Sequence, residues 1–248
     1  MSDKKTSTDA TLTQHTPVEK VFPPDAAETG LSLLYRQAPR TVRLGMIQSA
    51  DGKSSGPDGS SRSLNGPEDL RILRTLRSQA DVVLVGAQTA RRERYGDITL
   101  PPAMASTRRV AGLPDTVALA IVTHTGNLPP DLNPESTWII TTVGSPASRR
   151  LDAVWQQRMI YAGSDQLAPR SMIRGLAAHG LTRVLCEGGP TIADELLNKG
   201  LVDDYCLTTS ELMGGDAATP TPPVPGGFGQ VHELTGGGFT IRRWQRSA

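Results

Sequence analysis

The chain has 248 residues, of which 37% are hydrophobic and 4% aromatic, and its formal net charge is +1. This length allows one large domain or two small ones. The near-zero charge gives no reason to expect a nucleic-acid or membrane partner. The two cysteines, Cys186 and Cys206, favour a reducing cytoplasm over a disulfide framework, and the four histidines are too scattered to predict a metal site.

The first 25 residues are predicted to form a flexible tail, and residues 26–248 a single folded domain. The segment MSDKKTSTDATLTQHTPVEK is polar and lacks the apolar core of a secretory signal or a membrane anchor. No uninterrupted apolar run reaches the roughly 18 residues that a membrane-spanning helix needs. We therefore expect a cytoplasmic protein without a membrane partner.

Short apolar runs alternate with helical stretches from residue 41 onward. After a first strand at 41–47, a polar Gly/Ser-rich loop leads to a helix in which Asn65 and Glu68 predict a capping box and Pro67 falls in the first turn. Further strands are predicted at 81–86, 116–123, 137–142, 158–163, 183–186, 202–210 and 239–246, and further helices at 89–96, 168–180 and 191–200. The Pro/Gly-rich stretch 214–230 is predicted to be a loop.

This alternation predicts an α/β fold, in which a mainly parallel, mixed sheet carries helices on both faces of one domain. The run DVVLVG at 81–86 is continuously apolar, as is typical of a strand covered on both sides. In such sheets ligands bind beyond the carboxyl ends of the strands. The strand ends after Ile47, Gly86 and Cys186 are therefore the places where we expect a site.

The stretch VLCEGGPT presents one of these strand ends. Gly188 and Gly189 carry no side chains, and Thr191 offers a hydroxyl at the start of the next helix, so a pyrophosphate could approach the backbone closely. The alternative is a tight strand-to-helix turn that needs glycine for its dihedral angles. Neither GxGxxG nor the phosphate-loop pattern GxxxxGK[ST] is present, so the usual nucleotide fingerprints do not apply.

The other two strand ends carry weaker signals. Asp51 follows the first strand in a DG dipeptide and could supply a proton or orient a cofactor amide, or could only cap its own turn. Thr89, after the strand that ends at Gly86, could cap a helix and also face a phosphate or ribose. Three arginines at three-residue spacing form a stripe on the preceding helix that is either functional or a solvated flank: Arg71, Arg74 and Arg77.

Taken in order, SADGK, NGPEDLRILRTLR, VGAQT, VLCEGGPT and GLVDDY resemble the reductase domain of the bifunctional riboflavin-biosynthesis deaminase/reductase family. The resemblance covers roughly residues 40 to 246. It implies a fold like that of dihydrofolate reductase, NADPH as the cofactor and a homodimer.

The resemblance also implies roles for individual positions. Glu187 is the first choice for the catalytic carboxylate and for contact with the pyrimidine, and Asp51 is the second choice for catalysis. Substrate contacts are implied for Ser61, Arg77, Asp97 and Glu187. Cofactor contacts are implied for Gln48, Ser49, Ser63, Gly86, Thr89, Glu93, Thr123, Gly188, Gly189, Pro190, Thr191 and Ile192. The 2′-phosphate has two candidate binders, the stretch TTVGSPASRR and the pair Arg91 and Arg92.

Two features depart from the family pattern. The zinc deaminase motifs H-x-E and P-C-x-x-C are missing, so the chain resembles the reductase half alone. The family's arginine for the ribose phosphate is also missing from RYGDITLPP, where Leu100 stands in the corresponding stretch. Either the substrate lacks that phosphate, or another arginine, Arg74, Arg92 or Arg94, replaces the missing one.

The expected reaction is hydride transfer from NADPH to a C=N carbon of a pyrimidine or pteridine-like small molecule. The main hypothesis is a 5-amino-6-(5-phosphoribosylamino)uracil reductase of riboflavin synthesis or a close relative. The first alternative is a dihydrofolate-type pteridine reductase, which the missing arginine would permit. A further alternative is a nucleotide-binding module without catalysis.

Overall fold

A nine-stranded sheet organises residues 17–247, the part of the chain that the computed structural model describes. Its strands are β1 Thr41–Gln48, β2 Val82–Gly86, β3 Ala118–Val122, β4 Thr137–Thr141, β5 Met159–Tyr161, β6 Arg183–Cys186, β7 Asp204–Ser210, β8 Phe228–Gly236 and β9 Phe239–Arg246. They lie in the order β5-β4-β3-β2-β6-β1-β7-β9-β8. The first seven run parallel, and β9 pairs antiparallel with both β7 and β8.

Helices cover both faces of this sheet. They are α1 Val18–Val21, α2 Thr29–Leu34, α3 Pro67–Gln79, α4 Ala87–Arg92, α5 Pro102–Val110, α6 Ala147–Arg150, α7 Ala153–Gln156, α8 Pro169–Ala178 and α9 Pro190–Asn198, with a 3₁₀ turn at Ser61–Leu64. On β2, Val83 and Val85 pack into the core with α3 and α5, whereas Val82 and Leu84 pack into the core with α8 and α9. The α/β fold with a mainly parallel mixed sheet is confirmed.

Every predicted strand is present, but β8 was missed. Its sequence FGQVHELTG begins inside the predicted loop 214–230, and its buried positions form a block instead of alternating. β8 lies at the edge of the sheet and joins β9 through Gly237 and Gly238, whose φ angles are 56° and 83°. A glycine turn followed by pairing to β9 makes this strand, whereas its own periodicity does not predict it.

The start of α3 differs from the predicted capping box. Gly66, not Asn65, is the N-cap residue, and Pro67 is the first helical residue. The Glu68 carboxylate pairs with Arg71 at 3.1 Å instead of turning back to the helix start. Asn65 can then direct its amide nitrogen to Asp69 Oδ2 at 3.2 Å. The helix was predicted, but its cap was wrong because these polar side chains have partners outside the capping geometry.

The segment after Pro17 is more ordered than the tail predicted over residues 1–25. Pro17 bridges to Thr235 on β8, and Val18 begins α1 with its side chain buried in the core. Residues 1–16 of the predicted tail lie outside the described residues. The helix α5 was also missed, because its start at Pro101-Pro102 suggests a loop although Pro102 occupies the first helical position.

His232 on β8 is buried without a hydrogen-bond partner for either ring nitrogen among the described residues. Its ring meets that of Tyr35 edge-on at 5.0 Å. Burial, together with the nearby positive charge of Arg243, lowers the pKa of His232 to about 4, and Asp204 opposes this shift. The folded protein therefore holds this histidine neutral at pH values where the unfolded chain protonates it.

Acidification from pH 7 to pH 5 should therefore cost about 2 kcal/mol of stability through His232, because the unfolded state takes up the proton first. Urea unfolding at both pH values gives the loss of unfolding free energy in the wild type and in His232→Phe. The loss should be smaller in the variant by about 2 kcal/mol. The variant is needed as a reference because the raised pKa of Asp69, about 6, makes the free energy of unfolding rise on acidification over the same pH range. An unchanged pH dependence in His232→Phe would contradict the assignment.

Candidate active site

The three strand ends chosen from the sequence meet at one edge of the sheet, since β2, β6 and β1 are neighbours. A cleft of about 850 Å³, including the part open to solvent, lies there between the strand ends and α3. Its walls combine apolar and polar groups, as is usual for small-molecule sites. It is lined by Gly45, Met46, Ile47, Ser54, Ser55, Ser61, Asn65, Asp69, Ile72, Leu73, Leu76, Thr89, Arg92, Glu93, Tyr95, Glu187, Gly189, Pro190, Cys206 and Thr208.

The glycine turn after β6 forms one wall of this cleft. The Gly86 N–H donates to the Gly188 carbonyl at 3.0 Å, which ties the ends of β2 and β6 together. Gly188 has a φ of 97°, a region that side chains rarely tolerate, and Gly189 is the N-cap residue of α9. A Cβ atom on Gly189 would lie only 2.6 Å from Thr89 Oγ1.

This turn fits the diphosphate of a dinucleotide. Gly189 carries no Cβ and lies close against Thr89 Oγ1, and α9, nine residues long, begins at the same place, where the helix dipole favours an anion. Pro190 lines the cleft, whereas Thr191 is exposed beside it and Ile192 is buried beneath, with Cδ1 about 3.1 Å from where a Cβ on Gly86 would be. Most of the predicted phosphate-binding residues therefore lie together.

Glu187 is buried in an ion-pair cluster that reaches into the cleft. Its carboxylate accepts from Arg77 Nε at 2.8 Å and Arg77 Nη2 at 2.6 Å, and also from the Tyr95 hydroxyl at 2.6 Å. The side chain is only 4% exposed. Burial and then the charge of Glu187 raise the pKa of Tyr95 well above its usual value. The hydroxyl is therefore held protonated as a donor to Glu187.

The three arginines of the stripe on α3 lie in three different environments. Arg77 pairs with Glu187, Arg71 is buried against both carboxylate oxygens of Glu28 at 2.8 Å, and only Arg74 is exposed as a solvated flank would be. Tyr95 was missed by the sequence analysis. Its only signal was its place in the stretch RERYG after the VGAQT strand end.

Asp69 is a second buried carboxylate in the cleft, and the sequence analysis also missed it. It lies on α3, is 6% exposed and lines the cleft beside the Thr208 side chain of β7. Burial raises the pKa of Asp69 to about 6; the Thr208 side chain opposes this shift and the negative charge of Glu187 adds to it. A carboxyl of this kind in a cleft is typical of a functional site.

Glu93 fastens the segment that closes one side of the cleft. Its carboxylate accepts from the Ser60 hydroxyl at 2.7 Å and from the Ser61 N–H at 3.0 Å, and its carbonyl accepts from Arg62. Ser61 lines the cleft, whereas Ser63 is exposed outside it and donates to Asp58 at 2.6 Å. Ser63 is therefore not brought to the site.

The residues predicted for the nicotinamide end form a tight turn after β1. Ser49 donates to Asp51 Oδ1 at 2.6 Å, and the Gly214 N–H donates to the same oxygen at 2.8 Å. These bonds, that from Ser49 first, lower the pKa of Asp51. Gln48 donates to Thr209 on β7 at 3.1 Å. None of Gln48, Ser49 and Asp51 lines the cleft as the structure describes it, so the turn lies beside the site.

Two further predicted site residues, Asp97 and Thr123, lie at different distances from the cleft. Asp97 borders a recess that adjoins the cleft and that Ser61, Arg77, Glu93 and Tyr95 also line. Thr123 follows β3 on the far side of β2, where its hydroxyl accepts from the Gly126 N–H at 3.0 Å. The side chain of Leu100, in the stretch where the family arginine is missing, is buried in the core. That position cannot reach a substrate phosphate.

Within residues 17–247, no group of three or more acidic, histidine or cysteine side chains is arranged to hold a metal ion. In the same range, no helix combines the length and apolarity needed to cross a membrane.

A family model described as the RibD C-terminal domain matches residues 40–238, most of the chain. The chain belongs to the RibD C-terminal domain family. The glycine turn, Arg77 and Glu187 all fall within the matched RibD C-terminal region.

The chain is also similar to named relatives. A protein of Methanothermobacter thermautotrophicus named 2,5-diamino-6-ribosylamino-4(3H)-pyrimidinone 5′-phosphate reductase is 28% identical over 184 residues, which cover 72% of this chain and 82% of the relative.

Two solved structures share the fold. A pyrimidine reductase-like protein of Corynebacterium diphtheriae has a TM-score of 0.72 at 23% identity, over 94% of this chain and 99% of its own. A diaminohydroxyphosphoribosylaminopyrimidine deaminase/5-amino-6-(5-phosphoribosylamino)uracil reductase of Thermotoga maritima has a TM-score of 0.60 at 18% identity, over 84% of this chain and 57% of its own.

Proposed function

We propose that the chain is an NADPH-dependent reductase of a ribosylamino-pyrimidine 5′-phosphate. The observation that carries the proposal is the cleft at the ends of β1, β2 and β6, which joins a glycine turn open to a diphosphate to a pocket lined by buried carboxylates. The name of the Methanothermobacter relative supports the same reaction. That name favours a ribosylamino-pyrimidine reductase over the dihydrofolate-type alternative.

The chain's own residues supply binding and orientation. The backbone at Gly188 and Gly189 and the start of α9 hold the diphosphate, because neither glycine carries a side chain and the helix dipole favours negative charge at this end. When bound, the reduced nicotinamide supplies a hydride. Apolar side chains of β1 and α3, such as Ile47 and Leu76, exclude water from the reacting carbon.

Glu187 positions its partners in this proposal. Because three donor groups already occupy its oxygens, it fixes Arg77 and Tyr95 at the border between the cleft and the adjoining recess. Asp51 secures the turn at the nicotinamide end through Ser49 and Gly214. Its lowered pKa makes it a poor proton donor.

The ribose phosphate of the substrate is assigned to Arg92 or Arg94. Both are exposed beside Glu93, one at the cleft and the other at the recess, and neither forms an ion pair within residues 17–247. A free guanidinium offers the bidentate donors that phosphate binding needs. Either could therefore replace the missing arginine, whereas Arg74 lines neither cavity.

The discrimination between NADPH and NADH needs a positive group for the 2′-phosphate. Arg91 already donates to the Asn127 carbonyl, which leaves Arg92 from that pair. The other candidates are Arg149 and Arg150 on α6, exposed after β4.

A homodimer also remains part of the proposal.

The test is an assay of the purified chain with NADPH and, in parallel, the ribosylamino-pyrimidinone 5′-phosphate, dihydrofolate, or no second substrate. We expect loss of the reduced-nicotinamide absorbance only with the ribosylamino compound, and a product heavier by two hydrogens. Turnover of dihydrofolate alone would favour the pteridine alternative, and binding of NADPH without turnover of either compound would favour the non-catalytic one.

A further inference from the structure

Two buried carboxylates line the cleft, and Asp69 has more acceptor positions to spare than Glu187. Glu187 is occupied by two guanidinium N–H groups and a phenol. Asp69 takes part in no ion pair within residues 17–247, and its identified polar neighbours are neutral, the Thr208 hydroxyl and the Asn65 amide. A carboxylate has about four lone-pair positions. Asp69 can therefore accept further N–H donors from a ligand.

Asp69 lines the cleft in which the substrate ring is proposed to bind. Asp69 of α3 lines the cleft together with Ile47 of β1, Ile72 of α3 and Thr208 of β7. Only 6% of Asp69 is exposed, so the N–H groups of a ring in the cleft would replace lost solvent contacts. A neutral ring with paired N–H donors meets this requirement.

We propose that Asp69 determines substrate specificity by binding the 2-amino edge of the pyrimidine ring, so that the enzyme selects the 2-amino-pyrimidinone over the deaminated 2-oxo ring. This inference rests on the proposed function and names its substrate class. The two rings correspond to the two substrates in the names of the relatives, a diamino-pyrimidinone and an amino-uracil.

The chemistry of the two ring edges explains the selection. In a 2-amino-4(3H)-pyrimidinone the exocyclic amino group and the N3–H are adjacent donors, which match the two oxygens of a carboxylate. In a uracil the N3–H lies between two carbonyls, so a carboxylate that faces the edge made by positions 2 and 3 meets at least one oxygen. That contact leaves an acceptor facing an acceptor in a buried site, which strongly disfavours binding.

The ionisation of Asp69 agrees with this role. Burial raises its pKa to about 6, so the carboxylate form prevails at neutral pH but is held without a cation. The other ionisable groups that line the cleft or the adjoining recess are Glu187, Arg77, Tyr95, Glu93, Arg92, Cys206, Arg62, Arg94 and Asp97. Ring N–H donors would therefore stabilise a charge that the protein itself leaves poorly compensated.

The test compares kcat/KM for the 2-amino-pyrimidinone and the 2-oxo substrate, both with the same ribose phosphate, in the wild type and in Asp69→Asn. The wild type should prefer the amino ring by about 100-fold or more. Asparagine presents one donor and one acceptor, so the preference should fall at least tenfold. Asp115→Asn, the same change at an exposed ion pair, should retain the wild-type preference.

Folding is checked by thermal melting, in which Asp69→Asn should melt at the same temperature as the wild type or higher, because burial disfavours the carboxylate it removes. A wild type that uses both rings within about threefold, or an unchanged preference in Asp69→Asn, would overturn the inference.

The failure of the proposed function is recognised separately, by the absence of NADPH oxidation with either ring. Binding of isocytosine and uracil, the two bare rings, then tests Asp69 by itself in ligand-observed NMR. The wild type should bind isocytosine more tightly, and Asp69→Asn should lose this difference. Equal binding of the two rings by the wild type would overturn the role of Asp69 even if the reductase activity were absent.

Discussion

Replacing Asp204 by asparagine is expected to lower the free energy of unfolding by about 3 to 5 kcal/mol. Asp204 accepts from Arg43 Nη2 at 2.6 Å and from Arg243 Nη2 at 2.8 Å, and all three side chains are almost fully buried. Burial by itself would raise the pKa of Asp204, but Arg43 and Arg243 hold it below its usual value. The variant leaves two buried guanidinium groups without their counter-charge.

The effect should reach beyond the ion pair because the cluster connects separate elements. Asp204 lies on β7 opposite Arg43 on β1, and Arg243 on β9 also donates to the Leu34 carbonyl at the end of α2 at 2.7 Å. Urea unfolding of Asp204→Asn and of Asp115→Asn gives the comparison. Asp115 pairs with Arg109 at the surface, so its loss should cost about 1 kcal/mol or less. Equal losses in the two variants would contradict the structural importance of the buried cluster.

The second large effect concerns the glycine turn. Gly189→Val should weaken NADPH binding on the order of 100-fold, about 2.7 kcal/mol, because the added side chain collides with Thr89 and displaces the turn on which the diphosphate is proposed to lie. Even a single Cβ at this position would lie 2.6 Å from Thr89 Oγ1. Gly189 has a φ of −65°, so valine adds bulk without forcing the backbone into the left-handed region.

Gly229→Val is the matched control, since a Cβ at Gly229 meets nothing within 4 Å and the residue lies on β8 away from the cleft. Calorimetric titration with NADPH should give the control the wild-type dissociation constant. If Gly189→Val also binds like the wild type while remaining folded, the diphosphate does not lie on this turn.

The sheet could be predicted from the sequence because parallel strands buried on both faces are continuous apolar runs. DVVLVG and RVLC carry that signal by themselves, and the rule that sites lie at the carboxyl ends then brought Gly86 and Cys186 to one edge. β8 carries no such signal. Its existence depends on pairing with β9 across a glycine turn, a non-local interaction.

The roles of the acidic residues could not be predicted for the same reason. Glu187 reads as a free acid in a loop, but its partner Arg77 is 110 residues away in the chain. Asp69 reads as an ordinary acid in the first turn of a helix, where the helix dipole favours negative charge. Only the packing of α3 against β1 and β7 shows that Asp69 is buried with acceptor positions to spare.

A crystal structure of the chain with NADPH tests the central claim most directly. We expect the diphosphate over the backbone of Gly188 and Gly189 at the start of α9, and the nicotinamide in the cleft between the end of β1 and Asp69. Coenzyme bound at another edge of the sheet, with the glycine turn holding only solvent, would contradict the account.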